Sequence, residues 1–403
     1  MYLSTITRPK TAGWKGVSAN VLALGAVSLV TDVSSEMVTA VLPLYLVVGL
    51  QLSPAAYGVI DGLYTGATTL LRLVGGFLAD RTDRRKAVAG FGYALSAVAK
   101  VGLLVAGSST AALGAVIAAD RAGKGLRTAP RDALITLSTP SGDLGRAFGV
   151  HRAMDGMGAF AGPLVALAVL ALAGESFDSV FMTSFCIAAL GVVILVLFVR
   201  DQRSAVPSEP VRVKAVGGLW RDGGVRRVVL AASLLGLATI GDGFVYLLLQ
   251  KREGLSIGWF PLLAVGTSLV YLLLAAPLGA LADRVGRLPV MVGGYVALGA
   301  VYVLLFGPLS GWVLVVAAVA LYGVFYAATD GVLMALAGPL LPERWRTTGI
   351  ALIQSGQALA YLGSSVLFGL AWQFWGPEVA TRLAAGCVAL TVALTVVLLG
   401  RRS

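Results

Sequence analysis

Long apolar segments separated by short polar loops recur along the whole chain. Each has about twenty or more residues, the length that an α-helix needs to span the hydrocarbon core of a bilayer. We therefore predict an all-α polytopic membrane protein with twelve transmembrane helices. The predicted spans are approximately 18–48, 55–79, 86–106, 111–136, 147–172 and 179–200, then 226–250, 257–282, 289–307, 311–338, 348–374 and 380–399.

A polar stretch divides the twelve segments into two sets of six. It contains Pro207 and Pro210 with several charged residues, and we predict a linker over 201–225. The two halves then cover 1–200 and 226–403, and they align without gaps over their first three helices at an offset of 203 positions. The second half therefore repeats the first.

Charge adds orientation to this plan. Hydrophobic residues make up 58% of the chain and charged residues 13%, against about 25% charged residues in a soluble domain. The net charge is +11, and the Lys and Arg residues gather in the termini, the linker and alternate loops. By the positive-inside rule both termini are predicted to be cytoplasmic. From the compact size of the chain and the lack of added domains we expect an inner (plasma) membrane. The basic excess is a topology signal, so we expect no nucleic-acid partner.

A short charged loop occurs once in each half, after the second and the eighth segments. Both copies read G-x-L-A-D-R-x-x-R, and Asp83 in the first stands where Gly286 stands in the second. The candidate gating residues are Gly76, Asp80, Arg81, Arg84, Arg85, Gly279, Asp283, Arg284 and Arg287. The first copy resembles the signature loop of the major facilitator superfamily, whose weaker echo follows the eighth helix. This resemblance implies two pseudo-symmetric six-helix halves with a substrate site between them.

The first segment carries two carboxylates on one helical face, Asp32 and Glu36. Ionisable groups at bilayer depth cost about 2.5–3.5 kcal/mol on insertion scales, so they face a cavity or a partner. Two carboxylates this close repel, and one of them could hold a proton near neutral pH. The alternative is that each simply pairs with a neighbouring Arg. Asp61, near the outer end of the second segment, is a further candidate for the cavity.

The fourth segment is the most unusual, because Arg121, Lys124, Arg127 and Arg131 follow one helical face. Arg121 with Gly125 resembles the R-x-x-Q-G-x-x-x-A motif of proton-driven facilitator exporters, with Lys124 in place of Gln. That resemblance implies a role for the Arg in proton coupling. The remaining charges either pair with acidic residues or present an attractive field to an anionic substrate.

In the fifth segment, Gly149, Gly158, Gly162 and Pro163 follow the spacing G-x8-G-x3-G-P. This resembles the antiporter motif of the drug/proton exporter branch, and its small residues would let two helices pack closely. Asp155 on the same segment is a further proton-coupling candidate. The only histidine, His151, is interpreted as an interfacial or gate-pairing residue rather than a proton relay.

The second half offers fewer charges and more aromatic and amide groups. Its candidate cavity residues are Asp242, Tyr246, Asp330, Gln354 and Gln357, which join Asp61, Lys124 and Arg127 of the first half. We expect coupling charges in the first half and more neutral substrate contacts in the second.

The motifs favour a secondary active transporter, a proton-coupled exporter of small organic or amphipathic compounds. A proton-coupled or facilitative carrier of an anionic metabolite and a lipid translocase stay open as alternatives. The chain has neither a P-loop nor a metal-spaced Cys/His cluster, so we expect no enzyme activity, no metal and no cofactor. The expected partners are substrate, protons and membrane lipids, and the expected state is a monomer.

Overall fold

The structure is a computed structural model that describes residues 17–82, 84–140, 143–202, 223–329, 332–337 and 346–400. The described residues form helices and loops without a β-strand. The first half comprises six helices. They are α1 (Ala19–Leu44, continued by a π-helical turn Tyr45–Gly49), α2 (Pro54–Thr82), α3 (Arg85–Val105), α4 (Thr110–Leu137), α5 (Leu144–Leu172) and α6 (Phe177–Phe198).

The second half follows the same plan with more interruptions. Its helices are α7 (Gly223–Ala238), α8 (Asp242–Glu253), α9 (Pro261–Val285, after a 3-10 turn Ile257–Trp259), α10 (Arg287–Phe306), α11 (Gly311–Thr329), α12 (Val332–Ala337) and α13 (Arg346–Gly400). Gly376 breaks α13 with φ 85° and ψ 165°, so α13 contains two spans.

Nine stretches of the described residues are long and apolar enough to cross a membrane. The helices α2 and α4 fall outside that set because polar and charged side chains lower their hydropathy, and the two spans of α13 are joined within it. With these taken into account the architecture is consistent with twelve spans, and the predicted all-α membrane fold is confirmed.

The seventh span differs from its prediction as one continuous helix over 226–250. It is broken between Ala238 and Asp242. The hydroxyl of Tyr302 bridges the break, since it accepts from the Ile240 N–H at 3.0 Å and is 3.3 Å from the Ala238 carbonyl oxygen, to which it donates. A side chain thus satisfies backbone groups that the interrupted helix leaves open, as an apolar interior requires.

Serine residues start several of these helices. The Ser18, Ser109 and Ser176 side chains each accept from a backbone N–H of the first turn, which satisfies a donor that the helix itself cannot pair. Asn20, at the start of α1, hydrogen-bonds to the Arg200 backbone and to Ser138. The start of α1 and the ends of α4 and α6 therefore lie together, on what we term the terminal side.

The two halves meet closely on the side away from the termini, which we term the opposite side. A Cβ at Gly58 of α2 would lie 2.4 Å from the carbonyl oxygen of Ser365 in α13, and one at Gly369 would lie 2.4 Å from the carbonyl oxygen of Pro54. The Gly258 N–H also donates to Glu175 across the halves at 3.2 Å. Glycine on both helices lets the backbones touch here, which closes the opposite side.

Candidate functional site

Ten charged residues of the first half form a layered set of ion pairs along α1, α3, α4 and α5. Nearest the terminal side, Arg131 lies 3.0 Å from Asp132 and 3.5 Å from Asp155. Arg131 also donates to the Ser28 hydroxyl at 3.2 Å, and that hydroxyl lies 3.0 Å from Nε2 of His151. His151 is buried inside this half and contacts the same hydroxyl as Arg131, so of the two predicted positions the structure differs from the interfacial one and is compatible with a pairing residue.

The next layer pairs both carboxylates of α1 with cations of α4. Asp32 lies 3.6 Å from Arg127, whose guanidinium covers the Tyr93 ring at 4.5 Å. Glu36 lies 3.5 Å from Lys124, and these two side chains are 26% and 31% exposed, against 4% for Arg127. Lys124 and Glu36 are therefore the accessible pair of this layer, whereas Arg127 is buried.

A third layer is centred on Asp120. It pairs with Lys100 at 3.1 Å and with the neighbouring Arg121. The guanidinium of Arg121 lies 3.7 Å from the centroid of the Tyr64 ring, and the Tyr64 hydroxyl contacts the Thr39 hydroxyl. Arg121 is 3% exposed, so a structural ion pair accounts for its charge in this conformation.

Across these layers cations and carboxylates balance. Five cations meet five carboxylates: Lys100, Arg121, Lys124, Arg127 and Arg131 against Asp32, Glu36, Asp120, Asp132 and Asp155. The basic face predicted on α4 is therefore neutralised locally, in agreement with the pairing alternative.

The second-helix carboxylate, Asp61, has a different environment. Its Oδ2 accepts from the Ser365 hydroxyl at 2.6 Å and from the Tyr361 hydroxyl at 3.2 Å. Both donors belong to α13, so Asp61 connects the two halves beside the close contact at Gly58. Within the described ranges, no Lys or Arg forms an ion pair with Asp61.

Asp242 is the corresponding carboxylate of the second half. It opens α8 just after the break, where its Oδ1 accepts from the Tyr322 hydroxyl at 2.9 Å and from the Tyr326 hydroxyl. Like Asp61, it is half-buried, and it has no cationic partner in the part of the chain that the structure describes.

The break in the seventh span brings these two carboxylates to one place. A Cβ at Gly241 would lie 2.2 Å from Oδ2 of Asp61, and one at Gly243 would lie 1.9 Å from the Tyr57 hydroxyl. Because no side chain intervenes, Asp61 packs directly against the start of α8, next to Asp242. We call Asp61, Asp242 and the serine and tyrosine side chains that contact either carboxylate or the adjoining start of α8 the interhalf carboxylate site.

The other predicted cavity residues lie around this site or beyond the described residues. Tyr246 is buried, with its ring 6.2 Å from the rings of Tyr322 and Phe260, so it packs behind Asp242. Gln354 and Gln357 are half-buried on α13. Asp330 falls outside the described residues.

The fifth-helix glycines position α5 against α1. A Cβ at Gly158 would lie 2.3 Å from the Leu29 carbonyl oxygen, and one at Gly162 would lie 2.7 Å from Cβ of Glu36. Pro163 is buried beside them, whereas Gly149 has no neighbour within 4 Å. This close packing holds Asp155 beside the charged face of α4.

The two copies of the charged loop lie on the terminal side. Gly76, Asp80 and Arg81 fall in the last turns of α2, and Arg85 at the start of α3 donates to the Gln202 carbonyl at 3.4 Å. Arg84 and Arg284 are exposed, and Gly279 has open space around it.

In the second copy Gly286 joins α9 to α10 with φ 103°, a conformation that glycine adopts without strain. Asp283 lies 3.8 Å from Arg287 one helical turn away. Asp83, which replaces this glycine in the first copy, falls outside the described residues.

Sequence reasoning missed several members of the interhalf carboxylate site. Ser365 and Tyr57 were not predicted, since a serine or tyrosine in an apolar helix carries no signal of which carboxylate it meets. The Gly241-Asp242-Gly243 sequence did contain a signal for the break, because two glycines around a polar residue disfavour a continuous helix. Among the described residues, no group of three His, Cys, Asp or Glu side chains is arranged to hold a metal.

Comparison with known proteins gives a consistent result. The sequence model of the Major Facilitator Superfamily matches residues 24–265 and 254–403. An uncharacterised MFS-type transporter of Methanocaldococcus jannaschii is 30% identical over 371 residues, which cover 90% of both chains. An uncharacterised protein of Mycobacterium tuberculosis is 35% identical over 171 residues, 42% of this chain and 40% of that protein.

Solved structures share the fold at low sequence identity. A nucleoside transporter, NupG, superposes with a TM-score of 0.82 at 14% identity, covering 94% of this chain and 99% of that one. A POT family transporter in complex with 5-aminolevulinic acid has a TM-score of 0.79 at 14% identity, covering 97% and 98%. A bacterial homologue of the lysosomal transporter Spinster has a TM-score of 0.69 at 17% identity, covering 94% of each chain.

Proposed function

Because the chain belongs to the Major Facilitator Superfamily of membrane transporters, we propose that it is a proton-coupled exporter. It exchanges protons for small organic or amphipathic compounds by alternating access of one site to the two sides of the membrane. The solved neighbours share only the fold with this chain, so the nucleoside and the 5-aminolevulinic acid named for them do not guide the choice of substrate.

The observation that carries this proposal is the pair of carboxylates at the interhalf carboxylate site. Asp61 and Asp242 contact neutral hydroxyls and have no cation among the described residues. A carboxylate at this depth is costly as an isolated ion and is stabilised by a proton or by a positively charged partner. A site that must hold either a proton or a positively charged partner releases its proton when such a substrate binds. This exchange is what antiport requires.

The ion pairs of the first half support this division of roles. A carboxylate that already has a cation 3.5–3.6 Å away, as Asp32 and Glu36 have, is stabilised as the ion and gains less from a proton. The same pairs weaken the case for an anionic metabolite, because the cations of α4 are already matched by carboxylates. We therefore assign proton exchange first to Asp61 and Asp242, and structural or gating roles to the first-half pairs.

Alternating access follows from the contacts between the halves. Closure of the opposite side depends on the Gly58 and Gly369 contacts and on the hydrogen bonds from α13 to Asp61. By the positive-inside rule the basic terminal side is the cytoplasmic one, so in this proposal the closed opposite side is the outer side. Opening the opposite side separates Asp61 from Ser365, and the change in its partners couples its protonation to the rocking of the halves.

The test measures proton release from the detergent-purified protein in weak buffer between pH 6 and 8. Candidate ligands that are cationic, neutral or anionic organic compounds are added in turn. We expect ligand binding to release protons, and we expect the release to be lost in Asp61→Asn or Asp242→Asn while binding is still detected by an independent assay. Asp32→Asn and Glu36→Gln are expected to keep it.

The control is Glu378→Gln, which changes a carboxylate on the opposite side that is 61% exposed. It is expected to behave as the unmodified protein. Ligand binding without any proton movement would contradict proton exchange, and loss of release only in Asp32→Asn or Glu36→Gln would move the proton to α1.

A further inference from the structure

We infer that the transported compound is an organic cation, a protonated amine or a quaternary ammonium, held between Asp61 of the first half and Asp242 of the second. This inference rests on the proposed exporter function and adds the class of substrate. It is carried by the charges, the hydroxyl contacts and the aromatic rings around these two carboxylates.

The charges of the interhalf carboxylate site differ from those of the layered ion pairs in the first half. Five cations of the layered ion pairs are matched by five carboxylates, whereas Asp61 and Asp242 contribute two negative charges without a cationic partner among the described residues. The start of α8 lies next to Asp61, and a helix N-terminus supplies only about half a positive charge. The remaining negative charge attracts a cation and repels an anion.

Hydroxyl groups hold both carboxylates in place without neutralising them. Ser365 and Tyr361 donate to one oxygen of Asp61, while Tyr322 and Tyr326 donate to one oxygen of Asp242. Ionised carboxylates only accept hydrogen bonds, so these four contacts orient the two groups as acceptors. An ammonium supplies the positive charge, and where it carries N–H groups also the donors, that such a site lacks.

The aromatic side chains beside Asp242 favour the same ligand. The Tyr322 and Tyr326 rings, whose hydroxyls contact Asp242, lie 5.2 Å apart at 71°. The faces of such rings attract cations, with quaternary ammonium groups a common case. Tyr326 is only half-buried, so a ligand can reach its ring beside the carboxylate.

A ligand held by both carboxylates affects transport because each half of the protein contributes one of them. Two unneutralised carboxylates brought together repel each other. A cation between them, or a proton on one of them, removes that repulsion and permits the halves to come together at this level. Either species can therefore accompany the conformational change, but the empty and fully ionised site resists it.

Binding is tested with matched compounds that differ chiefly in charge. The cationic probes are choline, phenethylamine and benzyltrimethylammonium. The uncharged probes are two alcohols, phenylpropanol and the compound in which carbon replaces the nitrogen of choline. The anionic probe is phenylpropanoate. Affinity is measured by thermal shift and by intrinsic tryptophan fluorescence on the full-length purified protein. We expect at least one cation to bind and every alcohol and the carboxylate to bind at least tenfold more weakly.

Variants then locate the site. Asp61→Asn and Asp242→Asn are each expected to weaken cation binding at least tenfold, whereas Glu378→Gln is expected to leave it unchanged. Asp61→Glu and Asp242→Glu keep the charge and show whether the Asn variants lose binding through charge rather than through misfolding. The inference is overturned if no cation binds, if alcohols or the carboxylate bind equally well, if sodium chloride alone gives the same shift, or if both Asn variants bind normally.

The same samples separate this inference from the proposed function. Cation binding without proton release leaves the substrate class intact and contradicts proton antiport. Conversely, proton release on binding of alcohols or carboxylates leaves antiport intact and contradicts the organic cation.

Discussion

The contact between α2 and α13 gives the most specific prediction about how the halves close. We consider Gly58→Ala, because an added Cβ would lie 2.4 Å from the Ser365 carbonyl oxygen and 3.4 Å from Cα of Gly369. A carbon atom does not approach a carbonyl oxygen to 2.4 Å, and the neighbour is backbone that cannot turn aside. The two helices must therefore separate wherever the opposite side is closed.

The magnitude follows from the cost of overpacking. Adding a methyl group to a tightly packed site typically costs about 1–3 kcal/mol. The helix-propensity gain of Ala over Gly is common to the closed and open conformations, so it cancels in their equilibrium. The full cost falls on the closed form, and the ratio of open to closed molecules should rise roughly 5–150-fold.

Pulsed electron–electron resonance between two spin labels on the opposite side measures this ratio. The labels are attached to cysteines introduced at Ser108 of the first half and Glu378 of the second, both of which are exposed. The native thiols are first removed by Cys186→Ser and Cys387→Ser. We expect Gly58→Ala to add or enlarge a long-distance population.

The matched control is Gly114→Ala, because a Cβ at this α4 glycine meets nothing within 4 Å. It is expected to keep the parent distance distribution. Gly369→Ala addresses the same contact from α13 and should act in the same direction as Gly58→Ala. Unchanged distances in a folded Gly58→Ala protein, or an equally large change in Gly114→Ala, would contradict the role of the Gly58 contact in closing the opposite side.

Three further predictions concern single contacts. Tyr302→Phe removes the hydroxyl that bridges the break in the seventh span. Leaving a buried N–H unpaired should cost about 1–3 kcal/mol of stability and lower the melting temperature, and an unchanged melting temperature would contradict this role. Arg127→Met removes the ion-pair partner of buried Asp32 and should lower stability by at most about 3–5 kcal/mol, because Lys124 and Arg131 also attract this carboxylate. Adding Asp32→Asn should recover most of the lost stability, and a double variant as unstable as Arg127→Met would contradict the pair. Ser365→Ala removes the hydrogen bond to the Asp61 carboxylate, and a hydrogen bond to a charged group is worth about 1.5–3 kcal/mol. The open population in the spin-label assay should therefore rise, and an unchanged distance distribution would contradict this prediction.

The sequence predicts the membrane fold well because its strongest signals are local. Apolar runs of bilayer length identify most spans, and the G-x-L-A-D-R loop identifies the family. The pairing of Glu36 with Lys124 was open as an alternative, since opposite charges inside a membrane are expected to find each other. The glycine spacing of the fifth segment likewise predicted close helix packing, which Gly158 and Gly162 provide.

The interhalf carboxylate site depended on contacts that no local pattern contains. Asp61 meets Ser365 at a separation of 304 residues, and only the packing of α2 against α13 decides that register. We predicted the coupling charges in the first half because charged residues are numerous in its helices. The structure pairs those charges with one another, so the carboxylates without cations in the described ranges, Asp61 and Asp242, become the stronger candidates.

Exchange of a proton for an organic cation is measured directly as counter-transport by purified protein in liposomes that contain a pH-sensitive dye. The probe is benzyltrimethylammonium, or choline if it binds more tightly, since a permanently charged cation cannot carry protons through the lipid by itself. We predict that cation flowing into the lumen drives protons out and that an imposed pH gradient accumulates cation on the acidic side. Asp61→Asn and Asp242→Asn should each abolish both effects, whereas Glu378→Gln should preserve them. Cation movement without a change in lumen pH, or movement of both species in the same direction, would contradict this exchange.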